Sequence, residues 1–439
     1  MDTFNSKKAK SLAKDPFDLI VFPEEIKILI LSFLPVKDLL NATLVSKSWN
    51  NMICCSPGFK KEIGVKIHPW SEEPAMIGRS ERCYEILSIA DFKLQSRKFN
   101  YLRSHKWRHV TLNVGSIGSQ NKFVNIMKIF RSTVKNLKIL STNIAKLNRN
   151  PTIVLPELEN LILSDVTLDL FDVLMVKQPS LKALSMRFVI TDVKSPRSVG
   201  NALVQFLNLN DNLKDLEMNY IVTNDIFKAD VATVIATKLK NVTIGLNETK
   251  SEVRENIEKF LQSQGGSIEH LKLILHQKFI RQENHQWRYW DEPEMTNDSD
   301  SEDINIIYRS WNSMTALSSI SIRFLRSSSE LPDSLEIRDF MKTLNRNANI
   351  TSLNLLFMNA SAPSSVIINL MKLAPNLQSI YVTKLSSAAI RYAAINLKAL
   401  RCLRCFGFSD DCLQEYNQLK ESRDNINKFI VISDRCALG

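Results

Sequence analysis

Glycine is scarce in this chain, 11 residues in 439. Loops that cradle phosphate need glycine so that backbone N–H groups can approach the ligand, and neither GxGxxG nor GxxxxGK[ST] occurs. The six histidines (68, 105, 109, 270, 276, 285) form no HExxH and no paired ligand spacing. Cysteine is an odd count of 7 at irregular spacing, which does not compose a disulfide framework. Cys402 and Cys405 make one close pair, with Cys412 and Cys436 beyond, but a zinc site needs a second close pair. Cys54 and Cys55 have no His or acid spaced nearby and read as packing rather than as nucleophiles. No uncharged apolar run is long enough to span a bilayer; Ile26 to Leu34 is short and begins beside acids. The opening MDTFNSKKAKSLAK carries lysines without an apolar core behind them, unlike a signal peptide. The expectation is a cytoplasmic or nuclear chain, or both, that is not an enzyme and holds no metal or cofactor.

Apolar residues are plentiful at 44%, enough for a sizeable core, and 23% of the chain is charged. The net charge of +11 is spread along the chain rather than gathered in a block, and no nucleic-acid motif accompanies it. It indicates a bias toward acidic partner surfaces, with nucleic acid and membrane not expected as partners.

The densest apolar stretch is FPEEIKILILSFLPVKDLLNATLVSKSWNNMICCSPGF, residues 22–59. Pro23 suits a helix start, and Glu24 and Glu25 sit where the helix dipole favours carboxylates. Ile26, Leu29, Ile30 and Phe33 form one stripe at i, i+3, i+4 and i+7, and Pro35 is expected to stop that helix. Asp38 is placed to cap a second helix carrying Leu39, Leu40, Leu44 and Val45, and Ser46 a third carrying Trp49, Met52 and Ile53. Three helices this short cannot bury so much apolar surface among themselves, so part of it should face a partner. The order of residues resembles the F-box, the module that docks ubiquitin-ligase substrate receptors onto a Skp-type adaptor. Phe22-Pro23 stands where that family has Leu-Pro, and Glu25-Ile26, Asp38-Leu39-Leu40 and Leu44-Val45-Ser46-Lys47-Ser48-Trp49 follow its spacing. Phe22 for Leu, and Ser46 where Cys is common, are departures that keep size or polarity. The resemblance implies adaptor contacts from Phe22, Pro23, Ile26, Leu29, Leu34, Leu39, Leu40, Leu44, Val45 and Trp49.

From Trp107 onward one pattern recurs: apolar, two variable, apolar, one variable, apolar. It begins with Trp107-Val110-Leu112, Val134-Leu137-Ile139 and Leu158-Leu161-Leu163, and ends with Leu400-Leu403-Cys405 and Ile426-Phe429-Val431. Twelve units recur at a mean step of 29 residues, and a further unit precedes them at Tyr84-Leu87-Ile89. The last two apolar residues of each unit share one side of a short strand, and stacking units buries them in a continuous core. Helical spacings lie between the strands: Phe123, Ile126, Met127 and Phe130; Val253, Ile257 and Phe260; Ile337, Phe340, Met341 and Leu344. Pro151, Pro156, Pro179 and Pro375 fall in the linkers. Strand, turn and helix in repetition resembles the leucine-rich repeat, so the expected class is α/β: a leucine-rich-repeat solenoid (horseshoe) preceded by a small all-α F-box. The family's Asn after the third apolar residue is replaced by Val166, Val189, Ile221, Leu325, Met358 and Leu385, with Asn247 the exception, which predicts less regular coils.

The expected division is a disordered basic tail at 1–16, the F-box at 17–63, a linker with a candidate capping repeat at 64–106, and an array of about 12 units at 107–439. A step of 49 residues marks an insertion at 276–312. It holds Trp287, Tyr289 and Trp290, then the acidic stretch NDSDSED. The concave strand face should present Lys138, Arg187, Glu217, Lys272, Asn354, Tyr381 and Arg404, with Arg323 and Phe406 following the apolar pair. Arg187, Lys272, Arg323, Tyr381, Arg404, Phe406, Trp287, Tyr289 and Trp290 are the candidate target-binding residues, suited to an acidic or phosphorylated segment. F-box plus repeats together resemble the substrate receptors of Skp–cullin–F-box ligases. The resemblance implies a Skp-type adaptor, a cullin scaffold reached through it, and a protein substrate. Two other readings stay open: a repeat scaffold or binding protein outside ubiquitin transfer, and a basic RNA-associated protein.

Overall fold

The computed structural model describes residues 22–60, 64–67, 84–90, 102–103, 105–117, 120–144, 152–167, 170, 173–187, 189–190, 199–219, 222–223, 227, 238–246, 251–276, 280–281, 287–288, 310, 313–325, 349–357, 364–407, 410–421 and 430–433. The N-terminal tail and the helix expected around Ile337, Phe340, Met341 and Leu344 lie outside the described residues, as does Pro151.

Four short helices open the described chain: α1 (Glu24–Leu31), α2 (Val36–Ala42), α3 (Lys47–Cys55) and α4 (Pro57–Lys60). Pro23 and Pro35 are the N-cap residues of α1 and α2, each with extended ψ near 153°. Proline's fixed φ suits that position, so Pro35 opens α2 instead of only ending α1. This corrects the expected boundary: Asp38 lies in the first turn of α2 rather than capping it, and Leu44 and Val45 follow the helix in a turn. Ser46 caps α3 as expected, its Oγ accepting the Trp49 N–H at 3.2 Å. Leu31, Leu39, Ala42, Ile53 and Phe59 form the small core of this module, with Ile28, Leu34, Trp49 and Met52 packed against it. The α4 turn that delivers Phe59 was not anticipated from the sequence.

The remainder is built on one sheet of 14 strands. In chain order they are β1 (Gly64–Ile67), β2 (Ile86–Ala90), β3 (His109–Ile117), β4 (Asn136–Ile144), β5 (Asn160–Ser164), β7 (Ala183–Met186) and β9 (Asp215–Met218). They continue with β10 (Asn241–Leu246), β11 (His270–His276), β14 (Ser319–Leu325), β15 (Ser352–Phe357), β16 (Ser379–Lys384), β17 (Cys402–Gly407) and β18 (Ile430–Ser433). Every strand pairs in parallel with its neighbour in the chain order of the sheet, the topology of a solenoid of leucine-rich-repeat type. Two short pairs stand outside the sheet: β6 (Val166–Thr167) with β8 (Val189–Ile190), and β12 (Ile280–Arg281) antiparallel to β13 (Trp287–Arg288).

The register aligns the motif residues. Leu87, Val110, Leu137 and Leu161 stand opposite one another, as do Ile89, Leu112, Ile139 and Leu163. The same two rows run on through Leu271 and Leu273 to Ile320 and Ile322, so the insertion leaves the ladder unbroken. Their side chains join the buried faces of the intervening helices, including Phe123, Phe130 and Phe260, in one cluster running from Ile67 to Cys412. Two strands depart from expectation. β1 pairs Val65 with Leu87 and Ile67 with Ile89, so the sheet already begins in the stretch expected to be a linker. Glu62 stands where the motif has its first apolar residue, which hides that unit in the sequence. At the other end Val431 pairs with Leu403 and Ser433 with Cys405, two residues off the expected alignment. Phe429 to Ile432 is a continuous apolar run, and a two-residue shift keeps the same face, so periodicity cannot choose between the registers.

Where the usual Asn is missing, apolar residues pack: Val166 and Leu385 are buried, and Val166 pairs with Val189. Backbone groups at the turns are satisfied from the strand's other end. Gln178 accepts the Leu155 N–H at 2.8 Å and donates to the carbonyls of Ile153 (3.0 Å) and Leu174 (3.2 Å). Its own N–H donates to Asn210 Oδ1 at 2.8 Å, and Gln264 Oε1 accepts the Leu239 N–H at 3.3 Å. Gln178 and Asn210 each stand three residues ahead of a motif leucine (Leu181, Leu213), a signal present in the sequence but on the opposite flank from the family's Asn. Tyr84 joins the two parts, packing against both hydrophobic clusters and lying parallel to Trp107 with ring centroids 6.5 Å apart.

Replacing Gln178 by Ala removes the acceptor for a buried N–H and two donors at once. Urea unfolding should show a loss of about 2–4 kcal/mol, more than one ordinary hydrogen bond contributes.

Candidate functional site

Two surfaces stand out, and the first is on the N-terminal helices. Of the 13 exposed large hydrophobic residues among those described, 9 lie between Phe22 and Val45: Phe22, Ile26, Leu29, Ile30, Phe33, Val36, Leu40, Leu44 and Val45. A monomer rarely leaves so dense an apolar patch in water without a partner for it. The cause is in the helix phase. On α1 the module's own core takes Leu31, with Ile28 half-buried, while the stripe of Ile26, Leu29, Ile30 and Phe33 points away from it. Phe33 and Leu44, at the two turns, are each 80% exposed.

Of the expected adaptor residues, Phe22, Pro23, Ile26, Leu29, Leu40, Leu44 and Val45 are on this surface. Leu34 and Trp49 are half-buried against the module's core. Leu39 is a correction: it is 0% exposed, because α2 starts at Val36 and the core lies on the Leu39–Ala42 side of it. Ile30, Phe33 and Val36 belong with the surface and were missing from the expected set, although Ile30 and Phe33 were visible as members of the stripe.

The second surface is the face of the sheet opposite the inward apolar pairs. One row of it runs through Lys138, Ile162, Ser185, Glu217, Thr243, Lys272, Ser321, Asn354, Tyr381 and Arg404, each aligned with the next by strand pairing. Arg187 follows β7 and its Nε lies 3.4 Å from Glu217, whose other oxygen accepts from Ser185 Oγ at 2.8 Å. That arginine is therefore matched within the protein. Lys272 is half-buried, Arg323 exposed, and the Arg404 guanidinium lies 5.2 Å from the centre of the Tyr381 ring, within cation–π range. Asn354 Oδ1 is buried in this row without a hydrogen-bond partner among the described residues. Phe406 is in β17 and Trp287 in β13, where Trp287 pairs with Arg281; their side chains, and Tyr289 and Trp290 altogether, lie outside the described residues. Cys402 and Cys405 fall on opposite faces of β17, and Cys412 is buried and donates to the Leu385 carbonyl. Among the described residues no group of three or more His, Cys, Asp or Glu converges as metal ligands would.

A polar edge runs along the start of the strands. His109 Nδ1 and Asn136 Nδ2 are 2.8 Å apart, Asn160 donates to Asn136, and Asn241 donates to Asp215. Beside it Glu159 accepts from Lys135 (2.8 Å) and Lys182 (3.0 Å). The Lys135 hydrogen bond, then that of Lys182, holds the Glu159 carboxyl down at about 2 against a smaller upward push from desolvation. Lys240 likewise lowers Glu269, and Arg391 lowers Glu415.

Comparison with known proteins agrees with the N-terminal geometry. Residues 21–57 match the family model described as F-box-like. No curated protein matches the chain. Among solved structures, the leucine-rich repeat-containing protein LegL7 of Legionella pneumophila is similar at 14% identity, over 58% of this chain and 84% of that one, with a TM-score of 0.35. The chain thus carries an F-box-like helical segment followed by a long parallel sheet of repeat type.

The lowered Glu159 pKa sets a sign for acid stability. Its contribution is complete above the ordinary value of 4.5 and is lost as pH falls from there toward about 2. Because the pair is solvent-screened, the effect should be about 0.5–1 kcal/mol. Unfolding measured between neutral and strongly acid pH should show wild type losing that margin over Glu159→Gln in this window; a constant difference would contradict the assignment.

Proposed function

We propose that this chain is the substrate-recognition subunit of a Skp–cullin–F-box ubiquitin ligase, acting in the cytoplasm, the nucleus or both. One observation carries the reading: the exposed apolar surface of Phe22 to Val45 coincides with the segment that matches the F-box-like family. F-box domains generally bind Skp-type adaptors, and an apolar surface of this density is what such docking needs. The repeat array supplies a wide, polar strand face on a continuous core, a surface suited to holding a protein segment.

In this role the chain carries out no bond chemistry. It holds a target so that one of its lysines stays at high effective concentration near the charged conjugating enzyme, which the cullin brings. Ordered repeats suit that task, because the distance between the docking module and the target face is then set by packing.

Co-expression with a Skp-type adaptor and a cullin tests the reading. Wild type should retain both on purification. Phe33→Glu and Leu44→Glu place a charge in the contact at a cost of several kcal/mol and should each reduce adaptor retention at least 100-fold. Both residues are solvent-exposed, so the melting temperature should not move. Adaptor retained by the double variant would contradict the docking surface. Adaptor bound without cullin would favour the scaffold reading outside ubiquitin transfer.

A further inference from the structure

In the outward rows of the described strands, carboxylates are confined to one strand. On β9 the outward rows carry Asp215 and Glu217, and Glu217 is engaged by Arg187 and Ser185. From β10 to β17 the outward rows of the described strands carry Lys272, Arg323 and Arg404 and no carboxylate. Ser321, Asn354 and Tyr381 lie between those cations in one row, Ser319, Ser352 and Ser379 line the row before it, and Arg323 is flanked by Ile274 and Leu356 in the row after.

The spacing of the cations selects among anionic ligands. Lys272 and Arg323 are on adjacent strands, two residues apart in register, so they share one position. Arg404 is three strands beyond Arg323, about 14 Å at ~4.8 Å per strand, and lies over Tyr381 on the intervening strand β16. One phosphate group can engage one of these positions but not both. An extended chain rises ~3.3 Å per residue, so about four residues span the gap.

We propose that the β11–β17 half of the face binds an extended acidic peptide, with two carboxylates about four residues apart seated at Lys272/Arg323 and at Tyr381/Arg404. The peptide crosses the strands over Ser321 and Asn354. This rests on the reading of the array as the target-binding part and names the class of target segment it takes.

The test uses full-length protein co-expressed with the adaptor and fluorescent ten-residue peptides on a serine–alanine background. One peptide carries two Glu four residues apart, one carries them adjacent, one has Gln in their place, and one has a single phosphoserine. Anisotropy at low ionic strength should show the spaced peptide binding at least fivefold tighter than the other three. Arg323→Glu and Arg404→Glu should each weaken it tenfold or more, whereas Lys128→Glu, exposed on the helix Gln120–Phe130, should not. Equal binding of the spaced and adjacent or Gln peptides, a preference for phosphoserine, or indifference to Arg404→Glu would overturn the proposal. Adaptor retention is scored on the same preparations. Retention without peptide selectivity sinks this proposal alone, and selective peptide binding without retention sinks the adaptor reading alone.

Discussion

Everything beyond the N-terminal module depends on the stacking of two inward apolar residues per strand. A strand of four to nine residues cannot bury such a pair by itself; it needs the equivalent pair on each side, about 4.8 Å away, and cover across the back. The rows from Leu87 to Leu403 and from Ile89 to Cys405 satisfy that need without a register break. The constraint is nearest-neighbour, so the long insertion after β11 can leave and return while Leu271 still meets Ile320. What the chain appends outside the rows is free to vary; the rows are not.

The same constraint decides what could be read from the sequence. Position-specific apolar spacing gave away twelve strands in correct register, because a wrong residue in an inward slot would be a buried charge or a cavity. It failed at the two ends. Two residues before strand β1 the sequence has Glu62 where the motif has its first apolar residue. Strand β18 falls in a run of four successive apolar residues, Phe429 to Ile432, so registers two residues apart look equally good. The amide bonds of Gln178, Asn210 and Gln264 were also missed. They serve the purpose of the family's Asn from the other flank, and a polar residue in a linker has no period to announce it.

The N-terminal module shows the opposite lesson. Its most regular helical stripe, Ile26, Leu29, Ile30 and Phe33, is the one a pattern search assigns to a core, yet it faces solvent. The module's own core uses the less regular set of Leu31, Leu39, Ala42, Ile53 and Phe59. Hydrophobic periodicity reports that a face is to be covered, not by what. The family resemblance proposes an adaptor as the cover, and it placed Leu39 outside when the phase of α2 puts it inside. On the strand face the side chains were named correctly as outward residues, but their pairings were not legible: Arg187 with Glu217 and Arg404 with Tyr381 join strands whose adjacency only the stacked rows reveal.

The proposed function gives each surface its own partner: an adaptor for the apolar helices of Phe22 to Val45, and a target for the sheet. Hydrogen–deuterium exchange of the full chain, alone and with a purified Skp-type adaptor, tests that division directly. The account predicts new protection confined to α1, α2 and the turns carrying Phe33 and Leu44, with exchange of the sheet strands unchanged. Protection along β11 to β17, or none on the helices, would contradict it.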